Sequence, residues 1–415
     1  MSEDSAVQPF KGLKVLDFFW VVIGPLTTSY LAEYGATVVR IESRERAEVL
    51  RSAPPFGGGK RGLNRSGYYA NYNVNKYGFG LNMGHPQAVD LVKRFLPWAD
   101  VVTENFTPGT IEKWGLGYDV LRAIKPDLIM ISASMLGRGG PYSRQPGFGP
   151  VLSSLSGMTD LTGWPDRAPS TPYGAYTDFV VPRFALPTLV AALDYRRRTG
   201  QGQHIDISQL EAALHFMAPP VLDYANNGHV QTRVGNRHPS VAPHGVYPCL
   251  GDNRWCAIAC MTEAEWRALY QVMGQPAWAS EARFATLFSR KQHEDALDQL
   301  LGAWTQQQDA YTLMTMLQRA GVPAGVAQTN QDLIADPQLA HRGYFVYMDH
   351  PGVGYHPIQR SEFRLSDTPA EFRSPAPNIG QHTVQVCKEI LGMADEEIAS
   401  LIAANVLEVP SPEDG

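Results

Sequence analysis

Asp178 stands in the stretch GAYTDFVVPRFALPTLVAALDYRRRTGQGQHIDI, residues 174–207, where a loop enters a long apolar segment. A carboxylate at the entry of a helix can cap free N–H groups. It can also serve as a nucleophile that takes an acyl group and splits one difficult exchange into easier steps. The pattern alone leaves both roles open. The other chemistry-bearing residues point less far. Cys249, Cys256, Cys260 and Cys387 lack the paired spacing of a zinc site, and the alternation of WCAIAC reads as a strand with buried thiols, so no metal is implied. His215, His238 and His244 lie in or beside a polar stretch and read as solvated or structural. The loop APPFGGGKRGLNR, residues 53–65, has no GxxxxGK[ST] spacing, which leaves an exposed loop and a contact to a phosphate-bearing ligand both open.

The elements that position Asp178 follow from periodicity. Phe184, Leu186, Leu189, Val190, Ala192 and Leu193 predict a helix buried on most of its face, with Pro182 and Pro187 near its start. Arg196, Arg197 and Arg198 complement its carbonyl end, and Gly200 is a natural stop. Upstream, a strand at 11–18, a helix through Leu31 and Tyr34, and a strand at 35–42 form a right-handed βαβ unit. The turn after the first strand carries only Gly24 and no GxGxxG, so NAD and FAD are not supported. A third strand at 100–104 runs into Asn105 and Phe106, and a fourth at 127–133 runs into LGRGG. Ligands of open parallel sheets bind outside the carboxyl ends of strands, so these residues are set to touch one.

The predicted fold class is α/β, with a large domain at 1–215, a linker at 216–233 and a small α+β domain at 234–320. The linker is read from Pro219, Pro220 and the polar run beyond. Residues 321–415 are expected to connect back to the large domain through helices at 382–392 and 395–404. A length of 415 residues accommodates such a pair of domains. A net charge of -6 gives no basic field for nucleic acid. No apolar run reaches the roughly 18 residues that span a bilayer, and MSEDSAVQPFKG is no secretory signal, so no membrane partner and a cytoplasmic location are expected.

KGLKVLDF, NVNKYGFGLNM, VTENFTPGTIEKWGLGY, RRRTGQGQHIDIS, ARFATLFSRKQHEDAL, GVPAGVAQTNQDLIADPQ and APNIGQHTVQVCKEILGM follow one another in an order and spacing that resemble the family III coenzyme A transferases. The resemblance covers nearly the whole chain. It implies a Rossmann-like large domain built from both chain ends, a small middle domain, and two ring-shaped subunits threaded through each other as a homodimer or as a heteromer with a homologous subunit. It also implies that Asp178 is the catalytic aspartate. Contacts to coenzyme A fall on Val21, Lys76, Asn105 and Phe106, and more loosely on Lys113 and Trp114, where the family often has Arg and Met. Arg40 and Arg44 are candidates for the phosphates. Coenzyme A and its thioester are substrates here, and no permanently bound cofactor is implied.

The chemistry implied is transfer of coenzyme A from an acyl-CoA to a carboxylic acid through aspartyl anhydride and thioester intermediates. For attack Asp178 must be ionised, which predicts N–H donors or a helix N-terminus around it rather than an apolar pocket. The glycines of LGRGG are expected to supply oxyanion donors. Three residues depart from the family pattern: Pro182 stands where a Gly is usual, Met135 where formyl-CoA transferase has Lys, and Ser153 or Ser154 where a Gln is usual. These changes argue against formyl and oxalyl cargo. DFFWVVIGP, GFGPVLSSLSG and RGYFVYMDHPGVGYHP resemble the branch that includes succinyl-CoA:benzylsuccinate CoA-transferase, which implies a succinyl-CoA donor and a bulky, aromatic or dicarboxylic acceptor. Trp20, Phe148 and Phe179 are candidates for an apolar wall, with a plain core role as the alternative, and Arg138 or Arg183 for a second carboxylate. A 2-methylacyl-CoA racemase would need an acid and a base, and Pro146-Gly-Phe-Gly149 offers no histidine where such enzymes carry one. An isomerase moving CoA within one dicarboxylate would use the same aspartate, and Pro182 keeps a non-catalytic subunit as a further alternative.

Overall fold

The strand read at 11–18 forms as β1, Lys14–Phe18, and every residue after Lys14 is buried. Such a run, buried on both faces, belongs in a parallel sheet covered by helices on each side. The computed structural model describes residues 7–414. In it β1 pairs in parallel with β2, Thr37–Glu42, and with the fourth strand, so β1 is central. β3 is Tyr77–Leu81, β4 is Val101–Glu104, β5 is Ile129–Ser134 and β6 is His204–Ser208. The sheet order is 3-2-1-4-5-6, all parallel, and Leu407–Glu408 adds antiparallel to the outer edge of β3. That last pairing returns the end of the chain to the sheet its beginning started, as the family III resemblance implies.

Two cores flank the sheet. On one face Val15, Phe19, Val38 and Ile131 pack with Ile23 and Leu31 of the helix Ile23–Glu33 and with Ala185 and Leu189 of the helix Pro182–Thr199. On the other, Leu16, Phe18, Val39 and Ile41 pack with Leu91, Phe95, Leu121, Val386 and Ile398. Each of the Val, Leu, Ile and Phe side chains among them, once fully buried, contributes roughly 1.5–3 kcal/mol. The helix ahead of β6 ends at Gly200 with φ +71°, a left-handed stop after three arginines in its last turn. Pro182 sits at the first helical position, where its missing N–H leaves no bond unmade.

The chain divides into two compact units. The larger runs up to Thr159, then Thr171–Val230, then from Gly343 onward; the smaller comprises Asp160–Ser170 and Gln231–Arg342. The smaller unit has an antiparallel sheet of His244–Pro248, Trp255–Ala259 and Ala324–Val326 over a core that includes Tyr247, Cys256, Leu269, Leu301 and Leu313. It reaches beyond the predicted 234–320 because Arg254 pairs with Asp332 at 2.8 Å and Arg233 with Asp160 at 3.0 Å, drawing both flanking segments in. The predicted linker at 216–233 contains a helix, Ala218–Asn227, whose two prolines fall in its first turn, where they break no helical bond. All four cysteines are free and buried. Among the described residues no helix is long and apolar enough to cross a membrane, and no group of three or more His, Cys, Asp or Glu is set to hold a metal.

Candidate active site

Asp178 lies in the first turn of a short helix, Tyr176–Val180, which leads directly into Pro182–Thr199. It is 4% exposed. The turn is held from below by close packing: a Cβ at Gly149 would stand 2.5 Å from Cβ of Ala175 and 2.7 Å from its Cα. Only glycine admits that approach, so Gly149→Ala is expected to displace the Asp178 turn and lower turnover by about 100-fold while circular dichroism stays native. Steady-state kinetics of that variant check it.

No cation and no hydrogen-bond donor meets the Asp178 carboxylate among the described residues, and burial by itself raises its pKa from 3.8 to about 7. This corrects the expectation of a donor-rich, non-apolar setting. The turn does offer a helix N-terminus, but one too short to offset desolvation. The Tyr68 phenol is pushed up to about 12, by burial first and then by the Asp178 charge. Tyr68 was not singled out in the sequence, because a tyrosine in YYANY carries no local mark of facing a residue 110 positions on.

Residues on both sides of Asp178 line a cleft of about 920 Å³. Tyr30, Tyr68, Tyr72 and Phe179 give it aromatic walls, and Arg183 and Glu362 its charge. Arg183 donates to the Phe179 carbonyl at 2.6 Å and pairs with Glu362 at 3.3 Å, with its side chain 45% exposed. Tyr30 donates to the same glutamate at 2.9 Å.

A second cavity, of about 250 Å³, lies at the carboxyl ends of β1 to β4. This is where the strand order reverses between β1 and β4, the ligand position of open α/β sheets. Phe106 packs edge-on against Trp20 at 5.4 Å and against Trp114 at 5.2 Å between centroids. Arg46 stands over the Trp20 ring at 5.7 Å. Asn105 does not line the cavity but braces it, accepting from Trp20 N and donating to Trp20 O, each at 2.7 Å. Val21 packs behind against the aromatic cluster of Tyr30 and Tyr69.

Several candidate contacts are corrected by burial and pairing. Arg40 is wholly buried and held by Asp17, Glu42 and Glu48 at 3.4, 3.3 and 2.8 Å, so it has no face for a phosphate. Lys76 is 1% exposed and spends its three donors on Pro25 O, Thr28 Oγ1 and Asn73 Oδ1. Burial also lowers its pKa to about 7. Arg44 is bound to Asp414 through two nitrogens at 2.5 and 2.8 Å. Arg138 pairs with Glu104 at 3.1 Å and with Glu112, which neutralises it. Lys113 is exposed beside the smaller cavity but outside its lining. Trp20, Phe148 and Phe179 do not form one wall: Trp20 lines the smaller cavity, Phe179 the larger, and Phe148 is 59% exposed outside both. Arg46 takes over as the cation of the smaller cavity. Sequence reading passed over it because in IESRER only the fold decides which arginine points inward to a carboxylate and which remains at the rim.

A family profile described as CoA-transferase family III matches residues 10–383. Succinyl-CoA--D-citramalate CoA-transferase from Chloroflexus aurantiacus is 34% identical over 407 residues, covering 98% of this chain and all of that protein. The beta subunit of succinyl-CoA--L-malate CoA-transferase from the same organism is 32% identical over 412 residues, covering 98% of this chain and all of that protein. Among solved structures, a CAIB/BAIF family protein from Brucella suis matches with a TM-score of 0.84 at 33% identity, over 92% of this chain and 99% of that one.

Proposed function

The chain belongs to CoA-transferase family III and is an enzyme of that class, and on that premise we propose that it moves coenzyme A from succinyl-CoA to a dicarboxylic acceptor through a covalent intermediate on Asp178. The observation that carries the proposal is a buried carboxylate without a counter-cation among the described residues, its pKa raised to about 7, whose neighbours Ala175 and Phe179 line the larger of the two cavities. A desolvated carboxylate is a stronger nucleophile than a hydrated one, and near neutral pH a useful fraction remains ionised. Asp178 attacks the thioester carbonyl, a C–O bond forms, the C–S bond breaks, and coenzyme A leaves as the thiolate. The thiolate then attacks the aspartyl carbonyl and releases succinate, leaving an aspartyl thioester. The acceptor carboxylate repeats both steps in reverse, so that Asp178 is regenerated and the acceptor leaves as its thioester. Burial of Asp178 serves a second end, since water would hydrolyse the anhydride.

The smaller cavity, with Trp20, Phe106, Trp114 and Arg46, fits the nucleotide end of coenzyme A: three aromatic rings offer a stacking surface, and an exposed guanidinium offers phosphate pairing. The larger cleft suits the acyl chains, with Arg183 facing the second carboxylate. The relatives' names pair succinyl-CoA with malate and with citramalate, each a dicarboxylate. To test the intermediate, the protein is incubated with succinyl-CoA and quenched with hydroxylamine. Mass spectrometry is expected to find a hydroxamate on the peptide containing Asp178, and its absence together with normal turnover would overturn the proposal.

We further propose that the chain works as an oligomer, in the threaded dimer form the family implies or with a homologous subunit. The support is the helix Ala218–Asn227, which buries no residue and leaves Val221, Leu222 and Tyr224 each more than half exposed. An apolar helix face that open is usually covered by another chain. Sedimentation analysis is expected to give a dimer that survives dilution; reversible separation into folded monomers would exclude threading.

A further inference from the structure

The turn after β1 stands where dinucleotide-binding folds place glycines, yet it carries Trp20, Val21 and Val22. Val21 has φ +61°, which a β-branched residue adopts only under strain. Successive main-chain polar groups of the turn are gripped by side chains. Phe19 N donates to Asp17 at 3.1 Å, and Phe19 O accepts from Arg40 at 2.7 Å. Trp20 N and O both bond Asn105, and Val21 N donates to Glu48 Oε1 at 2.6 Å. The other oxygen of Glu48 accepts from Arg40 at 2.8 Å, and Glu48 is 1% exposed. One buried ion pair therefore holds two residues of the turn at once, Phe19 through Arg40 and Val21 through Glu48.

We propose that Glu48 is a positioning residue for CoA thioester binding: it holds Val21 in its left-handed conformation and so fixes Trp20 against the smaller cavity. The inference rests on the reading of that cavity as the coenzyme A site. A glycine would reach the same φ but leave the turn free, and the lost freedom would then be taken from binding. The clamp instead preorganises the turn during folding. Without it, Val21 relaxes to negative φ, the 20–21 peptide rotates, and Trp20 leaves its place between Phe106 and Arg46.

Glu48→Asp keeps the charge beside Arg40 but is one methylene too short to reach both Arg40 and Val21 N. It is expected to raise the Kd for coenzyme A, measured by calorimetry, and the KM for succinyl-CoA by about tenfold or more, with kcat within about threefold. Hydrogen exchange at the Val21 amide should speed up by about tenfold or more. Adding Val21→Gly, which takes the left-handed conformation unaided, should recover part of the affinity that Glu48→Asp loses, short of native by the freedom the unclamped turn gives up on binding. A general loss of structure would lower kcat as well as weaken binding and would not be rescued by a glycine. An unchanged Kd in Glu48→Asp, or a folded double variant that binds no tighter than Glu48→Asp, overturns the proposal. Where Glu48→Asp alone gives too little folded protein, binding by the double variant decides by itself. If the native chain binds no coenzyme A, the functional reading fails, and the exchange rate at Val21 still decides whether Glu48 holds the turn.

Discussion

Asp178→Asn is expected to lower CoA transfer by at least about 10⁴-fold and, at pH 8, to make the protein more stable. The first effect follows from removing the nucleophile, since an amide cannot form the anhydride. The second follows from linkage. The folded pKa of about 7 lies above the ordinary value of 3.8, so below pH 3.8 the group is protonated in both states and adds nothing to the pH dependence. As pH rises from 3.8 through about 7, the unfolded chain ionises first and the folded protein is progressively destabilised. Above pH 7 the penalty reaches at most about 4 kcal/mol. A neutral isostere removes that penalty, so Asp178→Asn should melt higher than the native chain at pH 8 and about equally at pH 3. The same pKa sets the activity profile: kcat/KM should fall about tenfold per pH unit below 7 and level off above it. Retention of ordinary transfer by Asp178→Asn, in a preparation free of homologous subunits, would remove the catalytic assignment. Loss of transfer with no stability gain at pH 8 would mean that the carboxylate gains a partner beyond this chain.

Arg183→Ala is expected to raise the KM for dicarboxylic acceptors by about 10- to 100-fold and to leave monocarboxylic acceptors nearly unchanged. Two of the five guanidinium N–H donors are occupied, by Phe179 O and Glu362, which leaves capacity to fork onto a carboxylate in the cleft. Glu362, which lines the same cleft, steadies the side chain and is itself held by Tyr30. The half-exposed setting keeps the expected effect well below that of a buried pair. Arg138→Ala serves as the contrast. Its guanidinium is committed to Glu104 and Glu112, so its loss should not change the preference between acceptor classes. Equal effects of Arg183→Ala on mono- and dicarboxylates would dismiss the second-carboxylate site and leave the transferase assignment standing. A preference of the native enzyme for formate or another monocarboxylate over malate and benzylsuccinate would overturn the acceptor class.

Local pattern determined a good deal about this protein. The apolar run of β1, the βαβ spacing around Gly24, the stop at Gly200 and the position of Asp178 at a helix entry were all legible, because each depends on residues a few positions apart. The motif order marked the family for the same reason, since it lies in the linear chain. What only the tertiary structure decided is which charges survive as charges facing a ligand. Arg40, Arg44, Arg46 and Arg138 are indistinguishable as letters, but three are spent on carboxylates brought from elsewhere in the fold, and Arg46 remains at a cavity rim. Lys76 follows the same logic, since two of its three donors are closed by Pro25 and Thr28 of a helix about 50 positions away and the third by the nearby Asn73. The setting of Asp178 was decided there too. Whether a carboxylate meets donors or an apolar pocket depends on the helices that pack over it, and desolvation, which carries no sequence signature, raised its pKa to about 7. Hydrophobic period and turn chemistry act over one or two turns of chain, whereas burial and ion pairing are properties of the assembled fold.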